Sequence, residues 1–200
     1  MLIIGLTGGI GCGKTTITNL FSALNIPISD ADLIAHQLVE PGQPALAEIV
    51  QLFGSEVISK EGRLDRAMLK KLIFKEPKAK EQLENILHPL IFAKMNRWAT
   101  QQESPYVIFS IPLLIETHQQ KLVDRILVID LSEAQQVSRV IERDQLSKEA
   151  VLRIISAQTP RLKRREVADD LILNSHSIEQ LKHQVSFLHQ FYLKLAKECR

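Results

Sequence analysis

The chain has 200 residues, of which 45% are hydrophobic and 24% are charged, and its formal net charge is +2. This size and composition predict one globular domain with room for an inserted subdomain, and the low net charge excludes a strong field for polyanions. The sequence has no apolar run long enough to span a membrane, no signal peptide, and only two cysteines, Cys12 and Cys199, so we expect a cytoplasmic protein with no membrane partner.

The first predicted element is a short buried strand, Leu2–Leu6, which leads into a glycine-rich loop. Residues 8–15 read Gly-Gly-Ile-Gly-Cys-Gly-Lys-Thr and fit the G-x-x-x-x-G-K-[ST] pattern of a phosphate-binding loop. Apolar residues then follow at helical spacing from Ile17 to Leu24, so the loop joins a strand to the N-terminus of a helix. This context favours nucleotide binding over a chance match.

The chemistry of the loop suits a triphosphate. The four glycines allow backbone angles that turn N–H groups towards an anion, and the helix start adds partial positive charge. We expect Lys14 to reach the β- and γ-phosphates and the Thr15 hydroxyl to ligate Mg²⁺. For Cys12, we prefer a small residue that fills the loop over a thiol activated by the helix N-terminus. The predicted ATP-binding residues here are Gly9, Gly11, Cys12, Gly13, Lys14, Thr15 and Thr16.

After the loop, residues 25–29 predict a turn and a brief second strand, and residues 40–100 are predicted to be all helical. Asp30-Ala31-Asp32 follows this strand, at the edge where open α/β sheets bind ligands. Apolar spacing predicts helices over about 33–39, 46–53, 69–74 and 77–101. Residues 40–101 are too long for a simple crossover between strands, so we interpret them as a helical insertion that shapes a second-substrate site.

Strands and helices alternate in the rest of the chain. Further apolar strands are predicted at residues 106–109, 126–129 and 171–174. Ser132 and Gln135 form a capping-box pattern, Pro160 ends a later helix, and Arg161–Arg165 is a basic run. An amphipathic helix is predicted from Ile178 to Leu195. The alternation predicts an α/β fold with a five-stranded parallel sheet flanked by helices.

Together these segments resemble the dephospho-CoA kinases, a family of P-loop kinases related to nucleoside monophosphate kinases. The resemblance covers nearly the whole chain, and the motifs occur in the family's order. They are residues 4–14 of the phosphate-binding loop, Asp30-Ala31-Asp32, Glu40-Pro41-Gly42, His88-Pro89-Leu90-Ile91, Pro112-Leu113-Leu114-Ile115-Glu116, Arg139, Arg143-Asp144, Gln158 and Ala168-Asp169-Asp170.

The resemblance implies a P-loop NTPase fold in a single kinase domain. Its core would comprise residues 1–39, 102–138 and 166–200, with an acceptor-binding insertion over about 40–101 and a lid over about 139–165. It implies ATP-dependent phosphorylation of the ribose 3′-hydroxyl of dephospho-CoA, giving coenzyme A and ADP, with Mg²⁺ as cofactor. We therefore expect ATP and dephospho-CoA as partners, no nucleic acid, and a monomer or small homo-oligomer.

Asp32 is the candidate general base, because the resemblance places the acceptor hydroxyl near it. The alternative is that Asp32 only caps a helix that starts at Leu33. Asp30 more plausibly holds metal-bound water or orients the loop. With Lys14 and Arg139, Asp32 completes the predicted catalytic set.

Arg139 and Arg143 lie four residues apart and so share one helix face. The resemblance to the lid implies that Arg139 stabilises the transferred phosphoryl group and that Arg143 binds ATP. From spacing alone, two solvated arginines paired with Glu142 or Asp144 explain the pattern equally well.

On the acceptor side, the resemblance implies that His88 and Pro89 line the pocket and that Leu113 and Leu114 pack on the pantetheine arm. Without the resemblance, a lone histidine is more often structural, and the two leucines read nearly as well as core residues. Thr7, which precedes the loop, is assigned to the same substrate-binding group.

Two positions depart from the family pattern. Ser110 stands where the family often has Asp, so we expect the metal to depend on Thr15 and water, with the Asp30–Asp32 motif nearby. Asn174-Ser175-His176 replaces the usual Asn-x-Gly, which leaves the geometry of that turn open.

Other functions remain possible on the sequence alone. One is a nucleoside or nucleotide monophosphate kinase, although the helical insertion and the Pro-Leu-Leu segment favour a larger acceptor. Another is a nucleotide switch, although no residue is marked as positioning water. The third is RNA binding through Arg161–Arg165, but no aromatic residue interleaves that run, and we interpret it as a lid arm that faces polyphosphate.

Overall fold

The computed structural model describes residues 1–198, apart from the side chains of residues 74, 75 and 77, so Cys199 lies outside the described residues. The chain forms two compact units. The sheet unit comprises Met1–Asp30 together with the chain from Gln101 onward, and the helical unit comprises Ala31–Thr100. None of the helices within residues 1–198 combines the length and apolar character that a membrane-spanning segment needs.

The sheet unit is built on five strands: β1 (Leu2–Gly8), β2 (Ile28–Asp30), β3 (Tyr106–Ser110), β4 (Arg125–Asp130) and β5 (Asp170–Leu173). They pair in parallel in the order β2-β3-β1-β4-β5, which confirms the predicted five-stranded parallel sheet. Every residue of β3 is buried, because helices cover both faces of such a sheet. In chain order, the helices are α1 (Lys14–Ser22), α2 (Ala31–Leu38), α3 (Pro44–Phe53), α4 (Arg66–Lys75), α5 (Pro77–Ala99), α6 (Glu133–Asp144), α7 (Lys148–Ser156), α8 (Arg161–Glu166) and α9 (Ile178–Glu198).

The main core of the sheet unit lies between the sheet and helices α1 and α9. Ile17 and Phe21 project from α1 and are fully buried there. On α9, Tyr192 packs edge-on against Tyr106 of β3, with ring centroids 5.4 Å apart. Apolar and aromatic side chains at helical spacing therefore fix both helices against the strands.

The carboxyl ends of the strands meet at one edge of the sheet. Gly8, the last residue of β1, is aligned with Ile129 of β4, and Asp30, the last residue of β2, is aligned with Ser110 of β3. This is the edge at which open α/β sheets bind ligands.

Strand β5 is an edge strand of the sheet, and a side chain pairs with the backbone of its last residue, Leu173. The amide of Gln184, from α9, accepts a hydrogen bond from the Leu173 N–H at 2.9 Å and donates one to the Leu173 carbonyl at 3.1 Å. The glutamine amide thus pairs with the strand much as a neighbouring strand would.

The helical unit contains α2–α5 packed around aliphatic side chains: Val39, Leu46, Ile49, Val57 and Leu69. Helix α4 is capped by Asp65, whose carboxylate accepts the Met68 N–H at 2.9 Å. The prediction that residues 40–100 are all helical is right for α3, α4 and α5 but wrong for the segment between α3 and α4. There, Ile58 and Leu64 form an antiparallel bridge around a turn at Gly62.

Candidate active site

A cavity of about 600 Å³ opens beside the phosphate-binding loop, which is large enough for a nucleotide. Predicted ATP-site and lid residues line much of it: Gly11, Gly13, Lys14, Thr15, Thr16, Arg139 and Arg143. The other lining residues follow β5 or belong to α9: Asn174, His176, Ile178 and Leu181. Gly9 and Cys12, which were also predicted to bind ATP, belong to the loop but not to this lining.

The glycines of the loop serve two different needs. Gly13 has φ 87° and is the N-cap of α1, a backbone conformation that favours glycine. Gly9 does not have a positive φ; a Cβ there would lie 2.7 Å from Gln136 Oε1 and 2.8 Å from an Arg164 nitrogen. The expectation that all four glycines provide unusual backbone angles is therefore too broad, because Gly9 provides space.

Helix α1 begins at the cavity without a side-chain cap among the described residues, since its N-cap is Gly13. The first N–H groups of a helix have no partners within the helix, so they remain suited to an anion. The Lys14 ammonium donates to the carbonyl oxygens of Gly8 at 2.8 Å and Gly9 at 3.4 Å, which holds its charge over the loop. Positive charge and amide donors thus converge on one end of the cavity.

The side chain of Cys12 faces away from this chemistry. It is 1% exposed and belongs to the apolar core, and burial raises the pKa of its thiol. These observations agree with a small residue that fills the loop.

The donors at the cavity suit a magnesium ion that arrives with a nucleotide. Within the described residues, no cluster of three or more His, Cys, Asp or Glu side chains could hold a metal by itself. Thr15, which carries a hydroxyl, is among the residues that line the cavity, and Mg²⁺ typically binds substrate phosphates and water together with one or two oxygen ligands from the protein. Ser110, at the position where Asp was expected, is 2% exposed at the end of β3.

Asn174 joins the phosphate-binding loop to the end of the sheet. Its side-chain amide donates to the Cys12 carbonyl at 2.7 Å, and its N–H donates to the Asp130 carbonyl at 3.0 Å. Its own carbonyl accepts a hydrogen bond from Arg139 at 2.8 Å. With 4% exposure, Asn174 therefore fixes the loop, the end of β4 and Arg139 relative to one another.

The two predicted lid arginines have different environments. Arg139 is held by Asn174 beside the cavity, whereas Arg143 forms two hydrogen bonds of 2.7 Å with the carboxylate of Asp144. The alternative of pairing with Asp144 is therefore correct for Arg143, although Arg143 also lines the cavity.

A buried carboxylate that the sequence analysis did not select organises α8. Asp130, at the end of β4, is 3% exposed and receives two hydrogen bonds from Arg161, at 2.7 and 2.8 Å, and one from Arg165, at 2.9 Å. The hydrogen bonds from Arg161 lower the pKa of Asp130 below its ordinary value, and the charge of Arg165 acts in the same direction. The available signal was an Asp at a strand end together with two arginines four residues apart.

The basic run has contacts within the protein, although the side chains of Arg161 and Arg165 remain 40% and 41% exposed. Besides the two arginines on Asp130, Arg164 is 4% exposed, donates to the Thr159 carbonyl and lies against Gly9. Gln136, which is 1% exposed, also lies against Gly9 and donates to the Leu131 carbonyl at 3.0 Å. The interpretation of Arg161–Arg165 as an arm that faces polyphosphate stays a prediction, and the structure adds that three of its four basic side chains have internal contacts.

The segment between α7 and α8 contacts two loops. The Gln158 side chain accepts the Ile10 N–H of the phosphate-binding loop at 2.9 Å. Next to it, Glu116 accepts the Thr159 N–H at 2.8 Å. Residues 158–159 are therefore connected both to the phosphate-binding loop and to the loop that follows β3.

The predicted acceptor-side residues of the sheet unit differ in exposure. Thr7 is 1% exposed, and its hydroxyl donates to the Pro112 carbonyl at 3.1 Å, which ties β1 to the loop after β3. Leu114 is fully buried, as a core leucine would be, whereas Leu113 is 43% exposed. Of the two leucines, Leu113 is the one available to a ligand.

In the helical unit, Asp32 lies in the first turn of α2, which begins at Ala31 rather than at Leu33. The helix thus starts two residues earlier than predicted, and a capping role for Asp32 stays an alternative to its role as the base. Helix α2 packs against α5, and Gln37 accepts a hydrogen bond from Lys94 at 2.8 Å between them.

His88 and Pro89 lie in the middle of α5. Proline inside a helix removes one backbone hydrogen bond and permits a local bend. His88 is half-buried, and burial lowers the pKa of its imidazole below its ordinary value, which favours the neutral form.

Comparison with known proteins identifies the family. A family model described as dephospho-CoA kinase matches residues 2–180. A dephospho-CoA kinase of Hahella chejuensis is 49% identical over 199 residues, which is 100% of this chain and 96% of that protein. The chain belongs to the dephospho-CoA kinase family.

Solved structures agree with this assignment. The crystal structure of TT1252 from Thermus thermophilus has a TM-score of 0.85 and 32% identity, covering 94% of this chain and 96% of that one. A dephospho-CoA kinase from Campylobacter jejuni has a TM-score of 0.68 and 26% identity, covering 99% and 98%. Dephospho-CoA kinases catalyse the last step of coenzyme A synthesis. Because a kinase binds a nucleotide donor, membership in this family explains why a cavity lies beside a phosphate-binding loop.

Proposed function

We propose that this chain transfers the γ-phosphoryl group of ATP to the ribose 3′-hydroxyl of dephospho-CoA, giving coenzyme A and ADP. The observation that carries the proposal is the cavity of about 600 Å³ at the uncapped start of α1, lined by Lys14 and Thr15. Family membership supports dephospho-CoA as the acceptor.

On the donor side, the amides of the phosphate-binding loop and of the first turn of α1 bind the phosphate chain. Lys14 moves its ammonium from the carbonyl oxygens of Gly8 and Gly9 to the β- and γ-phosphates. Thr15 would hold Mg²⁺ together with the nucleotide, and the ion would supply charge that neutralises the phosphates. We assign Arg139 to the transferred group, because its hydrogen bond to Asn174 holds it beside the loop.

We further propose that residues 139–165 form the lid of the enzyme. The contacts of Gln158 with Ile10 and of Arg164 with Gly9 support this role, because they connect the segment directly to the phosphate-binding loop. A segment placed there can exclude water from the reacting phosphate and so limit hydrolysis of ATP.

On the acceptor side, we propose Asp32 as the general base. Asp30 ends β2 at the ligand-binding edge of the sheet, and Asp32 follows two residues later. In the reaction, the 3′-hydroxyl oxygen bonds to the γ-phosphorus, the bond between that phosphorus and the β–γ bridging oxygen breaks, and the hydroxyl proton passes to Asp32. We assign His88, Pro89 and the exposed Leu113 to binding of the acceptor.

One assay tests the function: release of ADP from ATP and Mg²⁺ with dephospho-CoA, AMP, CMP, adenosine or water as the acceptor. We expect turnover with dephospho-CoA and a lower kcat/KM with adenosine, because binding of the pantetheine arm contributes to catalysis. If AMP or CMP is the best acceptor, the chain is a nucleotide kinase. If ADP appears equally fast with water alone, it is a nucleotide hydrolase, and either result rejects the proposal.

The cellular location is also a proposal. Cys12 is a free, buried thiol within the phosphate-binding loop, a state that a reducing compartment maintains. We therefore place the enzyme in the cytoplasm.

A further inference from the structure

Two chemically different groups of residues line the cavity. Lys14, Thr15 and Thr16 provide charge and hydroxyl groups from the start of α1, whereas His176 and Ile178 come from the segment after β5. A nucleotide whose phosphates occupy the loop directs its nucleoside away from the loop. The side chains after β5 are therefore placed to meet the base.

The segment that carries His176 is fixed at both sides. Before it, Asn174 is held by hydrogen bonds to the carbonyls of Cys12 and Asp130. After it, Ser177 and Gln180 form a reciprocal capping box at the start of α9: the Ser177 N–H donates to the Gln180 side chain at 3.2 Å, and the Gln180 N–H donates to the Ser177 hydroxyl at 3.4 Å. Only Ser175 and His176 separate these two anchors.

The backbone at residue 176 does not require glycine. Among the described residues other than glycine, positive φ angles occur at Asn25, His118 and Gln145, so His176 has an ordinary backbone conformation. A histidine at this position therefore adds an imidazole to the cavity without backbone strain. The side chain is exposed and lines the cavity, and the described residues provide no hydrogen-bond partner for it.

We propose that His176 stacks its imidazole on the base of the nucleotide donor and so contributes to the affinity for ATP, but not to phosphoryl transfer. An imidazole presents a flat aromatic face, and such faces bind the flat face of a base. Stacking recognises a base without reading its edge, and no carboxylate is present among the residues that line the cavity. This inference rests on the proposed function only in that ATP is the donor.

The test compares His176→Gly and His176→Phe with the unchanged protein. Calorimetry in the presence of Mg²⁺ would measure the binding of ATP and of inorganic tripolyphosphate, which has the phosphate chain but no base. We expect His176→Gly to weaken ATP binding by about tenfold, the range for loss of one stacked base, and His176→Phe to restore it. Binding of tripolyphosphate should stay the same in all three proteins.

Steady-state kinetics provide a second measurement. Loss of stacking should change only the KM for ATP, whereas a general disturbance of the site would also change kcat. We expect His176→Gly to raise the KM for ATP with kcat unchanged. The matched control is His183→Ala, which removes an exposed imidazole from α9 that does not line this cavity, and it should leave both values unchanged.

Three results would overturn the inference: ATP binding that is unchanged in His176→Gly, tripolyphosphate binding that weakens as much as ATP binding, or a His176→Phe variant as weak as the glycine variant. Because the binding arms contain no acceptor, they give the same answer whichever acceptor the enzyme uses. Failure of this inference is therefore distinguishable from failure of the proposed function.

Discussion

The two units of the protein differ in whether they bury polar side chains. Among the described side chains, every buried polar or charged residue belongs to the sheet unit: Thr7, Ser29, Ser110, Asp130, Gln136, Arg164 and Asn174. Most of them lie near the carboxyl edge of the sheet. In the helical unit, the described buried core is apolar, and polar contacts such as that between Lys94 and Gln37 are exposed.

Buried hydrogen bonds and apolar packing contribute to an active site in different ways. Most buried polar groups are hydrogen-bonded, and each bond has a preferred length and direction, so the sheet unit fixes the positions of individual atoms. An apolar core is less directional and fixes mainly the shape and spacing of helices. We infer that the sheet unit determines the geometry of phosphoryl transfer and that the helical unit provides a shaped surface.

The largest expected effect comes from substitution of Asp32. This substitution tests the comparison most severely, because the proposed base belongs to the helical unit. Asp32→Asn keeps the shape of the side chain but cannot accept the proton. We expect kcat to fall by roughly 10²–10⁴-fold, with little change in ATP affinity or melting temperature. If steady-state assays with dephospho-CoA find most of the turnover intact, Asp32 is not the base and the helical unit provides no catalytic group at this position.

Lys14 tests the sheet unit in the same way. Lys14→Ala removes the charge that we assign to the β- and γ-phosphates, and we expect kcat to fall on the order of 10³-fold. The fold should survive, because the Lys14 side chain lines the cavity and is not part of the apolar core. Near-normal turnover, with a circular dichroism spectrum and melting temperature like those of the unchanged protein, would reject this role.

Asp130 tests whether buried polar contacts stabilise the sheet unit. Asp130→Asn removes the charge that holds Arg161 and Arg165, and we expect a loss of about 2 kcal/mol in the free energy of unfolding. For a chain of this length, this corresponds to a fall of about 4–8 °C in Tm.

The matched control for this change is Asp144→Asn, which breaks the exposed pair with Arg143. It should leave the free energy of unfolding almost unchanged, because water screens an exposed ion pair. Equal effects of the two substitutions in thermal melts would show that burial of Asp130 has no special importance.

The smallest expected effect concerns His88 and the stability of the helical unit. Burial lowers the pKa of His88 in the folded protein, and Lys80 acts in the same direction while Glu84 opposes it. The unfolded chain therefore binds a proton more readily. Stability from the neutral imidazole is complete above the ordinary pKa of about 6.5 and decreases as the pH falls below it.

We accordingly expect the Tm to decrease between about pH 7.5 and pH 5.5, and we expect a smaller decrease in His88→Gln. Comparing the two proteins is necessary because burial also lowers the pKa of His189, in the sheet unit. An identical pH dependence in both proteins would exclude His88 as its source.

The sequence alone was sufficient to predict those parts of the fold and of the site that depend on local sequence patterns. Unbroken apolar runs predicted the strands, and the spacing of glycines and Lys14 predicted the phosphate-binding loop at the start of α1. Pro44 and Gly54 mark the ends of α3 as a proline near a helix start and a glycine after a helix end should. Each of these signals depends on neighbours in the chain.

The contacts of Asp130 and Arg164 could not be predicted in that way. Arg161 follows Asp130 by 31 residues, and the direction of its side chain depends on how α8 packs beside β4. Likewise, the amide of Asn174 reaches a carbonyl 162 residues earlier in the chain. The start of α2 was misplaced for a local reason: Ala31 and Asp32 fit a helix or the residues before it equally well.

The glutamine amide at the end of β5 has a consequence for the protein in a crowded cell. A bare border of a sheet is a template on which another chain can add a strand, and repeated addition produces aggregates. Because Gln184 engages both main-chain groups of Leu173, a foreign strand would first have to displace it. A single side chain thus makes this end of the sheet a poor starting point for intermolecular assembly.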